Sequence, residues 1–436
     1  MRYKVLYIIP TLDHCGAEKQ LTLLATHLPT DLFEVQVITL TRNGWYLSEL
    51  QNSGIPVQCL NKKSKISIGV YRKLKEIIRS FSPDIVHTWL FAGNSYGRQA
   101  AFACHVPVVI CGERCVDLWK TPFHHKIDRL LEKKTDAYIV NSSAIKDFYV
   151  KHGLPSDKFH VIPNAMIPPS ESSPFTKEQF LKDLGVPMRL SNVSDLPEKS
   201  KIFQKLAITD ISRAENQSPQ IIGMVSRLWP QKRIEDALWA ADQLKFSLLN
   251  FYLIIIGDGP EREKLLRYRD DLQLQDRVFF IGERHDVHRI FPCFDLLWNC
   301  SSYEGQSNTI LEAQFHRIPV IASDVPGNRD LIQPGYNGLL ISEFGGDQTR
   351  RRTAFSRETL RVLQKDNSQL REALGNQAHE NILLNYSLDR LISEHVNLYT
   401  SLINKKKGQI INLPQSNTFR YLYLLKRQKV LLYSSR

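Results

Sequence analysis

The sequence predicts an α/β protein made of two successive domains, each built on a doubly wound parallel sheet. Three observations carry this. The chain has 436 residues, more than one hydrophobic core ordinarily encloses. Short β-branched runs alternate with amphipathic stretches from the first residue on, the pattern of repeated βαβ units. That alternation stops near Ala165 and restarts near Gln220, which divides the chain in two.

In the first half the expected strands are "KVLYIIP", "EVQVITL", "DIVHTW", "VPVVIC", "AYIVNSS" and "FHVIPNA". Residues 168–219 are rich in Ser, Pro, Lys and Asp, apart from the helical stretch "TKEQFLKDLG". They read as a linker with an insertion. In the second half the strands are "QIIGMVS", "FYLIIIGDG", "RVFFIG", "LLWNCSS", "IPVIASD" and "GLLIS". The expected domains are therefore residues 1–167 and 220–386. A last segment, 387–436, begins with a helix from Ser387 to Ile403, expected to bridge back to the first domain, and ends in a basic tail.

Composition narrows the class. Hydrophobic residues make up 42% and charged residues 23% of the chain, a globular balance. No apolar run approaches the roughly 18 to 20 residues of a membrane-spanning helix. The five apolar residues of "KVLYIIP", ending at Pro10, are too few for a signal core and suit a buried strand, so a cytoplasmic protein is expected. Seven cysteines, an odd number without a CxxC pair, favour reduced thiols over a disulfide framework or a zinc site. Cys111, Cys115 and His105 carry ligand atoms but read as core and loop residues.

The net charge of +12 calls for an acidic partner. Lys405, Lys406, Lys407, Arg420, Lys426, Arg427, Lys429 and Arg436 share the last segment with no acid beyond Ser401. A second cluster holds Lys62, Lys63, Lys65, Arg72, Lys73, Lys75 and Arg79, with Tyr71, Leu74, Ile77 and Ile78 at helical spacing. No nucleic-acid motif accompanies either cluster. Peripheral contact with anionic membrane, at its inner face, is the expected use, and nucleic acid is not an expected partner.

Ligands of doubly wound sheets bind beyond the carboxyl ends of the strands. In the second half, "GMVSRLWPQKRIEDAL" places Arg227 at a strand end and Lys232 just beyond it, opening a helix, and "IIIGDGP" places Gly257 likewise. The stretch "YEGQSNTILEA" holds Glu304 and Glu312. At about 100° per residue their spacing puts them on different parts of one helix circumference, so a single helix face does not explain the pair. Glu304 instead ends a loop and the helix starts near Ser307, a suitable N-cap. The amides of Asn308 to Ile310 would then point toward a bound anion. Arg and Lys at a strand end facing such a helix start suit a diphosphate. In the first half the strand-end candidates are Gly16, His87, Glu113, Arg114, Asn141, Ser142 and Asn164, each of which is also a common structural choice.

On these residues the sequence resembles the retaining, nucleotide-sugar-dependent glycosyltransferases of the GT-B fold, family 4. The resemblance runs from Met1 to about Ile403 and is most specific at "EGQSNTILE" and the following "AQFHRIPVIASDVPGNRDLI". It implies two Rossmann-like domains facing across a cleft, with a C-terminal helix crossing back. It implies transfer of a hexose from a nucleotide-sugar donor to a glycan or lipid-linked acceptor in cell-envelope polysaccharide synthesis. Glu304 would hold donor-sugar hydroxyls and Glu312 the ribose diol. The backbone amides after Gly305, at Gln306, Ser307, Asn308 and Thr309, would face the diphosphate, which Arg227 and Lys232 would neutralise. Gly257, Ile281 and Gly282 would line the donor and its base, and Gly16 would lie near the reaction centre.

The chain departs from the family pattern at three points. Cys15 and Gly16 stand where two glycines are common, and Arg233 stands where glycine is common. "GER" supplies Glu113 and Arg114 where many members have a sugar-contacting His, so one of the two is expected to take over that contact. No DxD pair occurs, and neither a metal nor another cofactor is implied. The alternatives are a nucleotide-sugar epimerase of the same fold and a non-enzymatic binding module.

Overall fold

The computed structural model describes residues 2–64, 66–168, 173–186, 219–248 and 250–408. Most of the expected linker insertion, Lys65 of the second basic cluster and the basic tail from residue 409 lie outside these residues.

The first half runs β1 (Tyr3–Ile9), α1 (Gly16–His27), β2 (Phe33–Thr39), α2 (Leu47–Asn52), β3 (Val57–Cys59), α3 (Ile68–Phe81) and β4 (Ile85–Trp89). It continues with α4 (Leu90–Ala103), β5 (Val108–Glu113), α5 (Pro122–Glu132), β6 (Ala137–Val140), α6 (Ser143–Lys151) and β7 (Phe159–Val161). These strands form one parallel sheet in the order β3-β2-β1-β4-β5-β6-β7. The edge strand β3 has no counterpart in the sequence expectation, because three residues at a sheet edge carry too little periodicity to register. One helix, α7 (Lys177–Asp183), lies in the linker.

The second half runs β8 (Gln220–Val225), α8 (Ile234–Leu244), β9 (Phe251–Ile256), α9 (Arg262–Asp271), β10 (Val278–Phe280), α10 (Val287–Ile290) and β11 (Leu296–Asn299). There follow α11 (Asn308–Phe315), β12 (Val320–Ser323), α12 (Pro326–Arg329), β13 (Leu339–Ile341), α13 (Gln348–Leu363), α14 (Ser368–Asn385) and α15 (Leu388–Lys406). The second sheet is also parallel, in the order β10-β9-β8-β11-β12-β13. Central strands of such sheets are covered by helices on both faces, so they read as continuous apolar runs. All six residues of β9 are buried, as are the last five of β1.

The last helix returns to the first sheet. Leu391, Tyr399 and Ile403 of α15 are buried in the cluster that holds Val5, Tyr7 and Leu21. The Tyr399 hydroxyl lies 3.1 Å from that of Tyr7 and 2.7 Å from His87 Nδ1. Where the chain crosses between halves, Met166 N–H donates to Tyr386 O (2.8 Å) and Met166 bridges to Ser387. Arg390 adds a second tie, donating from Nη2 to the carbonyls of Pro163 (2.7 Å) and Asn164 (3.1 Å). The crossing segment, residues 163–166, is therefore fixed by both Tyr386 and Arg390.

Candidate active site

The strand order reverses between β1 and β4 in one sheet and between β8 and β11 in the other. At such a point neighbouring loops turn away to opposite faces and leave a crevice at the carboxyl ends of the strands. The loops after β1, β8 and β11 meet there.

The second half supplies one wall. Ser307 caps α11, its Oγ accepting from Ile310 N–H (3.4 Å) and from Asn299 Nδ2 (3.2 Å). The Ile310 amide, expected to face an anion, is thus taken by the cap, and the amides of Asn308 and Thr309 are the ones left at the helix start. Thr309 Oγ1 donates to Val225 O (3.1 Å), tying α11 to the end of β8. The Glu304 carboxylate lies in the loop before the helix, 8% exposed, with Oε1 2.6 Å from Lys232 Nζ.

Lys232 does not open the long helix as expected. It ends a single 3-10 turn, Pro230–Lys232, and the chain passes through Arg233 at φ 47° before α8 begins. A left-handed backbone is unfavourable for a residue with a Cβ. Here the Arg233 guanidinium grips both oxygens of Glu343 (2.9 and 2.7 Å), and Glu343 also accepts from Arg351 Nη1 (3.3 Å). This clamp gives a physical reason why arginine stands where the family commonly has glycine. Arg227 is exposed beyond β8, its guanidinium 5.5 Å from the Trp229 ring centre. Among the described residues it has no carboxylate partner.

At the end of β9, Gly257 has φ 136°, and a Cβ there would lie 2.0 Å from Ser226 O. Only glycine lets the two strand exits pass this closely. Its N–H donates to Gly282 O (2.8 Å), so Gly257, Ile281 and Gly282 form one backbone ledge beside the β8 exit.

The first half approaches within contact distance. Gly16 opens α1, and its carbonyl accepts from Asn308 Nδ2 (3.3 Å). Gly305 packs against the backbone after β5, where an added Cβ would sit 2.4 Å from Arg114 O. Four side chains at the expected donor or sugar positions are engaged elsewhere, which corrects the expected sugar contact of Glu113 or Arg114. The Gln306 carbonyl oxygen accepts from Asn164 N–H (2.6 Å), and Asn308 Oδ1 accepts from Asn164 Nδ2 (2.9 Å). Both side chains hold the crossing segment, residues 163–166, and these bonds leave the backbone amides expected at the diphosphate unused.

Glu113 and Arg114 are the other two. Glu113 Oε1 lies 3.3 Å from Lys120 Nζ, which also reaches Asp128 (3.0 Å) and the Tyr149 hydroxyl (2.8 Å); Asp128 pairs in turn with Arg98 (2.9 Å). Burial pushes the Glu113 carboxyl up to about 7. Arg114 turns the other way, its guanidinium 3.9 Å from the Trp89 ring centre and Nη1 3.4 Å from Asn164 Oδ1. Burial brings it down to about 9. Successive residues at a strand end face opposite sides of the sheet, and both sides are covered here. Neither side chain opens to the cleft; at 114 it is the backbone that does.

Several residues at the cleft escaped the sequence reading. Lys19 Nζ reaches across to Glu312 Oε1 (2.5 Å). Glu18 is buried beside Thr11 Oγ1 (3.3 Å), and its burial raises the carboxyl to about 7. His14 Nδ1 lies 3.1 Å from Glu283 Oε1, and the Trp45 ring stacks on His285 at 4.0 Å. Asp330 accepts from the N–H and hydroxyl of Ser143 (3.0 and 2.8 Å). The one sequence signal for these was the short run "GAEK", which puts two charged residues in the first turn after Gly16.

Two parallel sheets with facing carboxyl ends, joined by a crossing segment and a returning helix, define the GT-B class of α/β folds. Residues 15–167 match the family model Glycosyltransferase Family 4, and residues 208–381 match Glycosyl transferases group 1. The chain belongs to the family 4, group 1 glycosyltransferases. It is 29% identical over 188 residues to the poly(ribitol-phosphate) alpha-N-acetylglucosaminyltransferase of Staphylococcus aureus (strain COL), over 42% of this chain and 36% of that protein. It is 31% identical over 175 residues to the UDP-Gal:alpha-D-GlcNAc-diphosphoundecaprenol alpha-1,3-galactosyltransferase of Escherichia coli, over 38% of this chain and 44% of that one. In both cases the chain spans less than half of the relative's length. The crystal structure of Anabaena Alr3699/HepE in complex with UDP and glucose superposes with a TM-score of 0.69 at 19% identity, covering 92% of this chain and all of that one. At that identity the likeness shows the fold.

Proposed function

We propose that this protein transfers a hexose from a uridine diphosphate sugar to a hydroxyl of a phosphate-bearing cell-envelope or lipid-linked glycan, with retention at the anomeric carbon. The observation that carries the reading is the wall formed by Arg227, the Lys232–Glu304 pair (2.6 Å) and the Ser307-capped start of α11. Breaking the bond to a diphosphate builds negative charge on the leaving group. Fixed cations and backbone amides aimed at that charge stabilise the transition state without reorganising. Glu304, held by Lys232, is placed to orient the hydroxyls of the sugar as it moves. Glu312, one helical stretch further along α11, takes the ribose.

The leaving charge is met by protein groups, and no metal step is proposed. The named relatives and the UDP-bound fold neighbour support a uridine diphosphate hexose as donor, and the family match supports retention. Contact of the basic first-half helix α3 and of the tail with an anionic membrane surface belongs to the same reading, as does a cytoplasmic location at its inner face. Among the described residues no helix is long and apolar enough to cross a membrane.

The test is incubation of the full-length protein with a panel of UDP-hexoses, with and without lipid-diphosphate-linked and polyol-phosphate acceptors. Acceptor-dependent formation of an α-linked product from an α-linked donor is expected. Conversion of the donor sugar with no acceptor present would favour an epimerase instead, and inversion would remove the stereochemical assignment.

A further inference from the structure

The carboxylate assigned to the donor ribose also takes part in an ion pair between the halves. Glu312 lies on the second-half helix α11, yet Oε1 is 2.5 Å from Nζ of Lys19, one turn into the first-half helix α1. The pair is only partly exposed, at 32% and 20% of the side-chain surfaces, so it is less screened than an open surface pair. It does not stand alone. On the preceding turn of α11, Asn308 donates to Gly16 O (3.3 Å) and accepts from Gln20 Nε2 (3.5 Å) as well as from Asn164. One short helix is therefore held from across the cleft by the Gly16 carbonyl and the Lys19 and Gln20 side chains of α1 while its N-terminus faces the donor site.

We infer that Lys19 is a positioning residue that couples donor recognition to closure of the two halves, acting through Glu312. The inference rests on the proposed function. A carboxylate has two oxygens: Oε1 is held by Lys19, and Oε2 serves the ribose diol. A Glu312 already fixed by Lys19 presents its second oxygen in one orientation, and a donor bound to it keeps α11 against α1. Closure in turn excludes water from the donor, which is what separates transfer from hydrolysis.

The experiment uses the full chain and compares wild type with Lys19→Gln, Lys19→Arg, Glu312→Gln and the double variant Lys19→Gln/Glu312→Gln. Melting temperatures check folding, calorimetry gives UDP affinity, and steady-state rates give transfer and donor hydrolysis separately. Lys19→Gln is expected to keep UDP affinity within about threefold. It should lower transfer kcat by about tenfold and raise the ratio of hydrolysis to transfer, with Lys19→Arg largely restoring both. The two single effects on kcat should overlap in the double variant, since contacting residues couple by a factor of about two or more.

Additive effects in the double variant overturn the inference. So does a Lys19→Gln protein that loses UDP as strongly as Glu312→Gln, because Lys19 would then be a donor ligand in its own right. Wild-type protein that transfers no sugar from any UDP-hexose defeats the proposed function, and this inference with it. Normal wild-type transfer with an unaltered Lys19→Gln variant defeats this inference alone.

Discussion

The two halves share a sheet topology and use charge in opposite ways. At the carboxyl ends of the second sheet, Arg227, Lys232 and Glu304 stay at the cleft and form a wall with the start of α11. At the carboxyl ends of the first sheet, Glu113 and Arg114 turn inward, Glu113 into a network with Lys120, Asp128 and Arg98, and Arg114 onto Trp89. The same fold thus keeps its charged residues at the cleft in one half and turns them into its own interior in the other. The contact face that the first half offers includes backbone at Gly16 and Arg114 and the side chains of Lys19, Gln20 and Asn164.

That contrast predicts that substitutions in the two halves fail differently. The largest effect is expected at Lys120, whose side chain is fully buried among Glu113, Asp117 and Asp128. Lys120→Met leaves buried carboxylates without their cation and should cost about 3 to 5 kcal/mol of stability. Chemical denaturation measures it; a native-like midpoint with lost turnover would place Lys120 in the reaction rather than in the interior.

Glu304→Ala should show the reverse pattern. Under the proposed transfer it removes a contact that tightens in the transition state, at a cost of roughly 2.7 to 4 kcal/mol, so kcat should fall by about 10² to 10³. UDP affinity should barely change, and steady-state rates beside calorimetry read the two separately. A variant that instead unfolds, or that loses UDP, breaks the comparison on the second-half side.

A smaller effect is expected at the cap. Ser307→Ala removes the acceptor for the Ile310 amide and should cost about 1 kcal/mol of stability. It also frees that amide for an anion, so UDP affinity is expected to hold or rise. Weakened UDP binding at unchanged stability would mean that the Ser307 hydroxyl itself touches the diphosphate.

A separate effect, read against pH, concerns Glu18, whose carboxyl is raised to about 7 by burial from an ordinary value of 4.5. Between these values the folded chain holds a proton that the unfolded chain has released. Stability from this group is therefore complete below about pH 4.5 and is lost as pH rises toward 7. Glu18→Gln should flatten the fall in melting temperature across that interval. Parallel curves for wild type and variant would show that Glu18 does not titrate there.

The sequence made the second half far more legible than the first. The apolar runs at β8, β9 and β11 end where the candidate site residues begin, and Ser307 stands three residues before the amide that it caps. These are local relations, and local relations survive in sequence. The first half depended on two things that do not. One is which face a strand-end side chain takes, a one-residue matter that sent Glu113 and Arg114 to opposite sides of the sheet and away from the cleft. The other is contact at long range: Gln306 and Asn308 meet Asn164, and Lys19 meets Glu312, across more than a hundred residues of chain. Candidate donor residues and ties between the halves sit side by side in "EGQSNTILE", and nothing local separates Glu304 from Gln306. The short strand β3 and the left-handed turn at Arg233 were hidden for a similar reason, since edge pairing and the Glu343 clamp are set by distant partners.

Gly305 sits where the loop before α11 meets the first half, and a Cβ there would lie 2.4 Å from Arg114 O and 2.9 Å from the Ile145 side chain. The first of these neighbours is main chain and cannot swing aside. A single methyl at this position would work as a shim, propping the two walls apart by its own thickness while leaving each wall intact. Gly305→Ala is thus a steric handle on the gap itself, a way to hold the jaws ajar without touching Arg227, Lys232 or Glu304.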